Sequence, residues 1–293
     1  MSDDLPQTAY GMALHGLPDL TELVSGEQLP DAPEVTIRCR PRADALALRP
    51  LDDRGVTRLL SDGRVLALSR RHGTATLYGD PMPAELLAHP FLAAVAPTFS
   101  RWSGRESFHA GAFVHADRAW AVLGHRTAGK STLLAALADR GTEVLSDDIV
   151  ITDGGEVFRG PRCIDLRSPL PGGSLSLQPA RLDTRWRVRL PAGPPTARLG
   201  GWLFLHWSSP GAPQPVAHPV PARELIRRLA ARRASGSLPS DPAVLLALAS
   251  RPAWDVYRPR SWPLIEETVQ LVTALLDATS GDASPTRSPV EVA

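Results

Sequence analysis

One glycine-rich loop constrains the fold of this 293-residue chain more than any other segment: Gly124-His125-Arg126-Thr127-Ala128-Gly129-Lys130-Ser131. The loop matches the pattern G-x-x-x-x-G-K-[ST] at every fixed position. An apolar strand pattern, Trp120–Leu123, precedes it, and a helical pattern, Ser131–Arg140, follows it. Strand, loop and helix in this order predict a nest of backbone N–H groups that binds phosphate at a helix N-terminus.

Each fixed position of the loop has a physical role. Glycine at Gly124 and Gly129 permits positive φ and lets the backbone approach phosphate oxygens. We expect Lys130 to contact the β- and γ-phosphates and the Ser131 hydroxyl to bind Mg²⁺. The sequence therefore predicts ATP and Mg²⁺ as cofactors, with these nucleotide-contacting residues: Gly124, His125, Arg126, Thr127, Ala128, Gly129, Lys130, Ser131 and Thr132.

Lys130 is the only lysine in the sequence, beside 31 arginines. The scarcity of lysine is a compositional effect typical of a GC-rich genome. A guanidinium is a wide planar fork, whereas an ammonium is a compact point charge, so arginine would overfill a phosphate nest. The position of the single lysine therefore supports a phosphate-binding role for the loop.

Composition and charge exclude several other classes of function. The formal net charge of +1 argues against a nucleic-acid partner bound through bulk electrostatics. Cys39 and Cys163 are too few for a disulfide framework and lack zinc-site spacing. The N-terminus lacks a signal-peptide pattern, and every apolar run is too short to span a bilayer. We therefore expect a cytoplasmic protein without a nucleic-acid or membrane partner.

The order of elements predicts an α/β fold with a P-loop core and a small N-terminal β-rich module. Residues 1–33 have weak periodicity and predict a poorly ordered arm. Short alternating patterns, among them Ala45–Leu48, predict the β-rich module over residues 34–104. We expect the P-loop domain over residues 105–279 and a disordered tail, rich in Ser, Pro and Asp, over residues 280–293.

A pair of carboxylates, Asp147 and Asp148, follows the strand pattern Thr142–Leu145, which comes directly after the P-loop helix. At the end of a strand beside the phosphate nest, one carboxylate can hold Mg²⁺ and the other can accept a proton from an attacking hydroxyl. The pair therefore predicts phosphoryl transfer rather than nucleotide binding alone.

The segment Phe108–Val150 resembles the core of the HPr kinase/phosphorylase family. It carries His-Ala-Gly ahead of the loop, Arg-Gly at the end of the helix, and the Asp-Asp pair. The resemblance implies the fold shared with phosphoenolpyruvate carboxykinases and Mg·ATP-dependent phosphorylation of a serine on a small partner protein. It implies Asp147 as the catalytic base and Asp148 as the metal ligand, or the reverse. It also places His109 at the transferring phosphoryl group or beside the base.

The remainder of the chain is similar to this family only in outline. A run like the family's second signature, Glu-Val-Arg-Gly-Leu-Gly, is missing from the expected place, so phosphorylase activity and hexameric assembly are not implied. The outline is closer to stand-alone HPr-kinase-like proteins, including those that phosphorylate a serine of lasso-type precursor peptides. We therefore expect a kinase acting on a peptide or small protein, and a homo-oligomer is compatible with the sequence.

Two other functions stay open at this point. One is a kinase that acts on a free small-molecule hydroxyl, such as that of an amino acid or a polyol. The other is a catalytically inactive nucleotide-binding regulatory module, and the intact pair Asp147 and Asp148 weighs against it.

The residues that bind the acceptor carry a weaker signal. Candidate contacts to the acceptor or to phosphate are Arg162, Arg185 and Arg187. Arg185 and Arg187 project from one face if their segment is a strand, and a solvated basic strand is the alternative interpretation. Three tryptophans are interpreted as core residues: Trp186, Trp202 and Trp207.

Overall fold

A computed structural model describes residues 6–27, 29–47, 55–209, 211–235 and 238–281 of the chain. Within these ranges the protein is a mixed α/β structure with one sheet of seven strands, one of nine and one of three. The α/β class predicted from the sequence is therefore confirmed. Most of the predicted tail, residues 282–293, lies outside the described residues.

The N-terminal sheet contains seven strands: β1 (Gln7–Ala9), β2 (Met12–His15), β3 (Val24–Ser25), β4 (Glu34–Arg40), β5 (Gly55–Leu59), β6 (Val65–Ser69) and β7 (Thr74–Tyr78). Their spatial order is β3-β1-β2-β4-β7-β6-β5. The first three strands correct the prediction of a poorly ordered arm for residues 6–27. Tyr10 and Met12 are fully buried in the hydrophobic core of this sheet, which stabilises a segment whose own periodicity is weak.

Two helical segments belong to this N-terminal part. A 3₁₀ helix, Arg42–Ala47, replaces most of the strand predicted at Ala45–Leu48, and Leu48 lies outside the described residues. Alanine has low strand propensity, and a turn in which the Asp44 N–H donates to the Pro41 carbonyl begins the helix. A kinked segment, Leu87–Phe91, in which His89 is extended, leads into helix α1 (Leu92–Trp102), whose buried face packs into the same core.

Twelve further strands follow within the described ranges: β8 (Glu106–Phe108), β9 (Ala110–His115), β10 (Arg118–Gly124), β11 (Val144–Ser146), β12 (Val150–Thr152), β13 (Glu156–Phe158), β14 (Cys163–Leu166), β15 (Leu177–Ala180), β16 (Arg185–Arg189), β17 (Thr196–Trp207), β18 (Val216–Pro219) and β19 (Ala253–Arg258). Strands β14, β16 and β15 form the small sheet, and the other nine form the central sheet.

The central sheet brings four strand ends to one edge. Strand β17 pairs in parallel with β10 on one side and with β19 on the other. Strand β11 is antiparallel to β9, which is itself antiparallel to β10, so β11 runs in the same direction as β10. The carboxyl ends of these four strands therefore face the same way, which is the edge where ligands bind in open α/β sheets.

Four more helices cover the central sheet: α2 (Lys130–Ala138), α3 (Ala222–Ala231), α4 (Pro242–Ala249) and α5 (Ile265–Gly281). Helices α2 and α5 share a core cluster with the small sheet on one face, while α3 and α4 pack on the other face. Local signals set several boundaries. The Asp241 carboxylate accepts from the Ala243 N–H ahead of α4, and Gly141 adopts positive φ after α2.

No helix in the described ranges is long and apolar enough to cross a membrane.

Candidate functional site

The glycine-rich loop joins the end of β10 at Gly124 to the start of α2 at Lys130. Gly129 caps the helix with a φ of 81°, and Thr127 also adopts positive φ. A Cβ at Gly129 would overlap the guanidinium of Arg258, so close packing as well as conformation requires glycine there. Strand, loop and helix N-terminus thus have the arrangement that binds phosphate.

Lys130 is the first residue of α2, and its side chain turns back to contact the glycine-rich loop. Its side chain is buried, and its Nζ donates to the Gly124 carbonyl oxygen at 3.3 Å. Burial lowers the pKa of Lys130, while the negative charges of Asp147 and Asp148 act in the opposite direction. The ammonium group therefore contacts the glycine-rich loop and is affected by the charge of both carboxylates.

Asp147 lies directly beside the N-terminus of α2. Because β11 and β10 point the same way, the residue after β11 reaches the loop that follows β10. The Ser131 Oγ donates to the Asp147 Oδ1 at 3.1 Å, and the Asp147 side chain is buried. Burial, reinforced by the charge of Asp148, raises the pKa of Asp147 to about 7.

Asp148 faces a different partner. It adopts a φ of 96°, an unusual conformation for a residue other than glycine. Its Oδ1 lies 3.5 Å from the Nδ1 of His109, and both side chains are partly exposed. Burial lowers the pKa of His109, although the charge of Asp148 opposes this shift. The carboxylate next to Ser131 is thus Asp147. Of the two assignments that the resemblance allows, this contact favours the one in which Asp147 is the metal ligand and Asp148 the base.

These residues line one cavity of about 840 Å³. The cavity contains the predicted residues Lys130, Ser131 and Thr132 and both carboxylates, together with His109 and part of the loop. It also contains residues that the sequence did not indicate: His89, Asp165, Arg167, Ser168, Arg181, Trp207, Arg258, Arg260, Ser261, Trp262 and Ile265.

Two of the unpredicted residues, Trp207 and Arg258, support the loop directly. They are register partners at the carboxyl ends of β17 and β19. The Arg258 guanidinium donates to the carbonyl oxygens of Ala128 at 2.8 Å and Gly129 at 3.2 Å, and it lies 4.2 Å from the centre of the Trp207 ring. The Trp207 Nε1 donates to the Thr127 carbonyl oxygen at 3.2 Å. Burial lowers the pKa of Arg258 to about 10.

The three tryptophans interpreted as core residues have three different environments. Trp202 is fully buried against helix α4, and its Nε1 donates to the Leu248 carbonyl. Trp186 is exposed on β16, and Trp207 lines the cavity, so the core interpretation is wrong for these two. Strand position separates them, since Trp202 sits in the middle of β17 and Trp207 at its carboxyl end.

Two of the predicted acceptor-side arginines are structural. The Arg162 Nη2 donates to the backbone carbonyls of Thr21 and Leu23, away from the residues that line the cavity. Arg187 is buried and pairs with Asp165 at 2.7 Å and Glu22 at 3.0 Å. A buried guanidinium with two carboxylate partners is held in place and is not offered to a ligand. The structure therefore corrects both assignments.

Arg185 and the variable positions of the loop differ in whether their side chains line the cavity. Arg185 lines the cavity, as do Arg126 and Thr127 of the loop. His125 is exposed and lies 3.0 Å, through its Nε2, from the Arg232 guanidinium. Ala128, also in the loop, is buried.

The donor set suits Mg²⁺ only in combination with a nucleotide. Among the described residues, no group of three or more His, Cys, Asp and Glu side chains is placed to hold a metal ion by itself. Mg²⁺ commonly binds through one or two protein oxygens together with substrate phosphates and water. The Ser131 hydroxyl and the Asp147 carboxylate, 3.1 Å apart beside the phosphate nest, fit that pattern.

Comparisons with known proteins add little to this picture. No family model and no curated protein matches the chain. One solved structure that matches is the Hpr(Ser) kinase/phosphatase from Coxiella burnetii, at 15% identity and a TM-score of 0.32, over 59% of this chain and 99% of that one. A TM-score of this size establishes no shared fold.

Proposed function

We propose that this protein is a Mg·ATP-dependent kinase that transfers the γ-phosphoryl group to a hydroxyl of a peptide or small protein. The contact between Ser131 and Asp147 carries the proposal, because it sets a metal-binding pair beside the phosphate nest. The second pair, Asp148 and His109, stands in the same cavity and supplies the groups that a transfer reaction needs on the acceptor side.

The nucleotide side of the cavity consists of the loop, Lys130 and the metal pair. The N–H groups of the loop and the N-terminus of α2 bind the phosphates, and Lys130 adds a positive charge near the β- and γ-phosphates. Ser131 and Asp147 would hold Mg²⁺, which would supply positive charge to stabilise the phosphoryl group during transfer. Asp147 therefore takes the metal role, and it must release its proton to do so.

The acceptor side of the cavity is assigned to Asp148 and His109. The acceptor oxygen forms a bond to the γ-phosphorus while its proton passes to the Asp148 carboxylate. The bond between the γ-phosphorus and the oxygen bridging to the β-phosphate breaks, which leaves ADP. Burial lowers the pKa of His109 and so disfavours its charged form, and its Nδ1, 3.5 Å from the Asp148 Oδ1, orients that carboxylate.

The class of acceptor rests on the sequence resemblance described above. A serine of a peptide or small protein is the acceptor in HPr-kinase-like enzymes. A free amino acid or polyol is the competing acceptor, and the same assay separates the two.

The test is an assay with ATP, Mg²⁺ and either a mixture of serine-containing peptides or a mixture of free amino acids and polyols. Mass spectrometry measures which component gains a phosphate. We expect gain on a peptide serine; gain only on a small molecule would replace the peptide acceptor, and no gain in either mixture would refute the kinase.

Two variants test the division of roles between the carboxylates. Asp148→Asn removes the base, so we expect about a 10²–10⁴-fold loss of transfer with little change in Mg·ADP affinity. Asp147→Asn removes the metal ligand, so we expect the Mg²⁺-dependent part of the nucleotide affinity to fall. Asp80→Asn, at an exposed residue outside the cavity lining, is the matched control. The opposite pattern would return the base role to Asp147.

A further inference from the structure

The cavity contains more positive than negative charge. Three of its lining residues are acidic, namely Asp147, Asp148 and Asp165, and seven are basic: Arg126, Lys130, Arg167, Arg181, Arg185, Arg258 and Arg260. A nucleoside triphosphate brings about four negative charges, of which a bound Mg²⁺ offsets about two. An excess of about two positive charges therefore stays available to another ligand.

The arginines divide between two places in the fold. Arg258 ends β19 and Arg260 follows it; both guanidinium groups lie beside the Trp207 ring, and Arg258 also donates to the loop. Arg167, Arg181 and Arg185 instead come from one end of the small sheet. The register of that sheet pairs the ends of β14 and β15 with the start of β16, so the three side chains emerge together.

This end of the small sheet lines the same cavity as the two carboxylates Asp147 and Asp148. Asp165, one residue before the end of β14, lines that cavity too. Its Oδ2 also lies 3.9 Å from the Nε2 of His89, which lines the cavity and is affected by the charge of Asp148. The arginines are therefore near the place where the acceptor hydroxyl must stand.

The turn between β15 and β16 is held in an unfavourable conformation. Arg181, Leu182 and Asp183 have φ values of 53°, 55° and 59°, the left-handed region that residues other than glycine rarely adopt. The Thr184 Oγ1 donates to the Arg181 carbonyl at 2.7 Å, and the Arg181 Nε donates to the Asp165 Oδ2 at 2.5 Å. Such strain persists where surrounding contacts impose it, and it is common at functional sites.

The charge at this end is balanced only in part by a neighbouring carboxylate, since Arg181 pairs with Asp165 through its Nε. In the part of the chain that the structure describes, Arg167 and Arg185 have no ion-pair partner, whereas Arg187 on the same strand has two. Burial and the charges of Arg181 and Arg167 lower the pKa of Arg185, because the guanidinium groups repel one another. An anionic ligand relieves this repulsion.

We propose that Arg167, Arg181 and Arg185 form an acceptor subsite that binds a carboxylate adjacent to the hydroxyl that is phosphorylated. This inference rests on the proposed kinase function and names the chemistry of its acceptor. Planar guanidinium groups bind carboxylates through paired N–H donors, which fixes the orientation of the ligand as well as adding affinity. The carboxylate belongs either to a peptide C-terminus or to an acidic side chain beside the acceptor serine.

Three short peptides distinguish these sources: acetyl-Gly-Ala-Ser as the free acid, the same peptide as its C-terminal amide, and acetyl-Gly-Ser-Glu as its amide. Isothermal titration calorimetry measures their affinity for the full-length protein saturated with Mg·ADP, and mass spectrometry measures phosphate transfer from Mg·ATP. We expect at least one of the two carboxylate peptides to bind about tenfold more tightly than the neutral amide.

The double variant Arg167→Gln/Arg185→Gln tests the residues, and Arg189→Gln is its control. Arg189 lies on the same strand as Arg185 and is exposed, but it does not line the cavity. We expect the double variant to lose the preference for a carboxylate and to keep its Mg·ADP affinity, while the control keeps both. An equal loss of the preference in the control variant would overturn the subsite.

Binding and transfer separate this inference from the proposed function. Equal affinity for all three peptides, or no binding of either acid at millimolar concentration, overturns the subsite even if the protein transfers phosphate. A carboxylate preference that depends on Arg185, without transfer to any peptide, supports the anion site and refutes the proposed transfer to a peptide.

Discussion

The substitution Asp147→Asn is expected to stabilise the protein in the absence of nucleotide and metal. Asp147 is 4% exposed, and its pKa rises from 3.8 to about 7 on folding. The unfolded chain therefore releases the proton of Asp147 at a lower pH than the folded chain does. As the pH rises from about 4 to about 7, ionisation favours the unfolded state, so the folded protein loses stability over this range.

The magnitude follows from the size of the pKa shift. Each pH unit of difference corresponds to about 1.4 kcal/mol, so the full penalty is about 4 kcal/mol above pH 7. At pH 5 the folded state is still protonated and the penalty is only about 1–2 kcal/mol. An asparagine keeps an oxygen that accepts from Ser131 and carries no charge, so it removes the penalty at both pH values.

Urea unfolding followed by tryptophan fluorescence measures this difference. We expect Asp147→Asn to exceed the wild type in free energy of unfolding at pH 8, and its advantage at pH 8 to exceed that at pH 5 by roughly 2–3 kcal/mol. The control Asp80→Asn, at an exposed residue outside the cavity lining, should change stability by less than about 0.5 kcal/mol. A variant that is less stable than the wild type, or an advantage that does not change with pH, would refute the cost assigned to the buried carboxylate.

Three further substitutions test other contacts. Lys130→Arg should weaken Mg·ATP binding by about tenfold or more, since the buried ammonium leaves little room for a guanidinium, and unchanged affinity in calorimetry would contradict this. Gly129→Ala should destabilise the fold by about 1–3 kcal/mol, because the added methyl group overlaps Arg258 and the φ of 81° is unfavourable for alanine. A melting temperature equal to that of the wild type would show that the loop does not have this conformation. Asp165→Asn should lower the free energy of unfolding by about 3–5 kcal/mol, because the buried Arg187 loses one of its two carboxylate partners. A urea midpoint close to that of the wild type would show that Glu22 alone balances the charge of Arg187.

The N-terminal segment shows where prediction from the sequence fails. Residues 7–25 have no strong period of their own, yet they form three strands of a buried sheet. Their stability comes from contacts distant in sequence. The Tyr10 N–H donates to the Arg159 carbonyl, and the Arg162 guanidinium donates to the Thr21 carbonyl. Periodicity reports only local preference, so it cannot register a segment that is ordered by partners more than a hundred residues away.

Arg185 and Arg187 show the same limit at the level of single side chains. They have the same type, the same strand and the same strand face, so the sequence treats them alike. Arg187 faces Glu22 and Asp165 and is buried, while Arg185 stands at the strand end and reaches the cavity. Only the packing of the N-terminal segment against the small sheet separates a structural arginine from a ligand-facing one.

The sequence by itself determined the parts of this protein that depend on short stretches of chain. The strand, glycine loop and helix around Lys130 are local, and the carboxylate pair follows the next strand directly, so spacing alone indicates both. The tertiary structure decided which carboxylate meets Ser131, and it brought Trp207 and Arg258 to the loop. Those contacts depend on which strands run parallel in the central sheet, and strand pairing is set by long-range burial rather than by any local pattern.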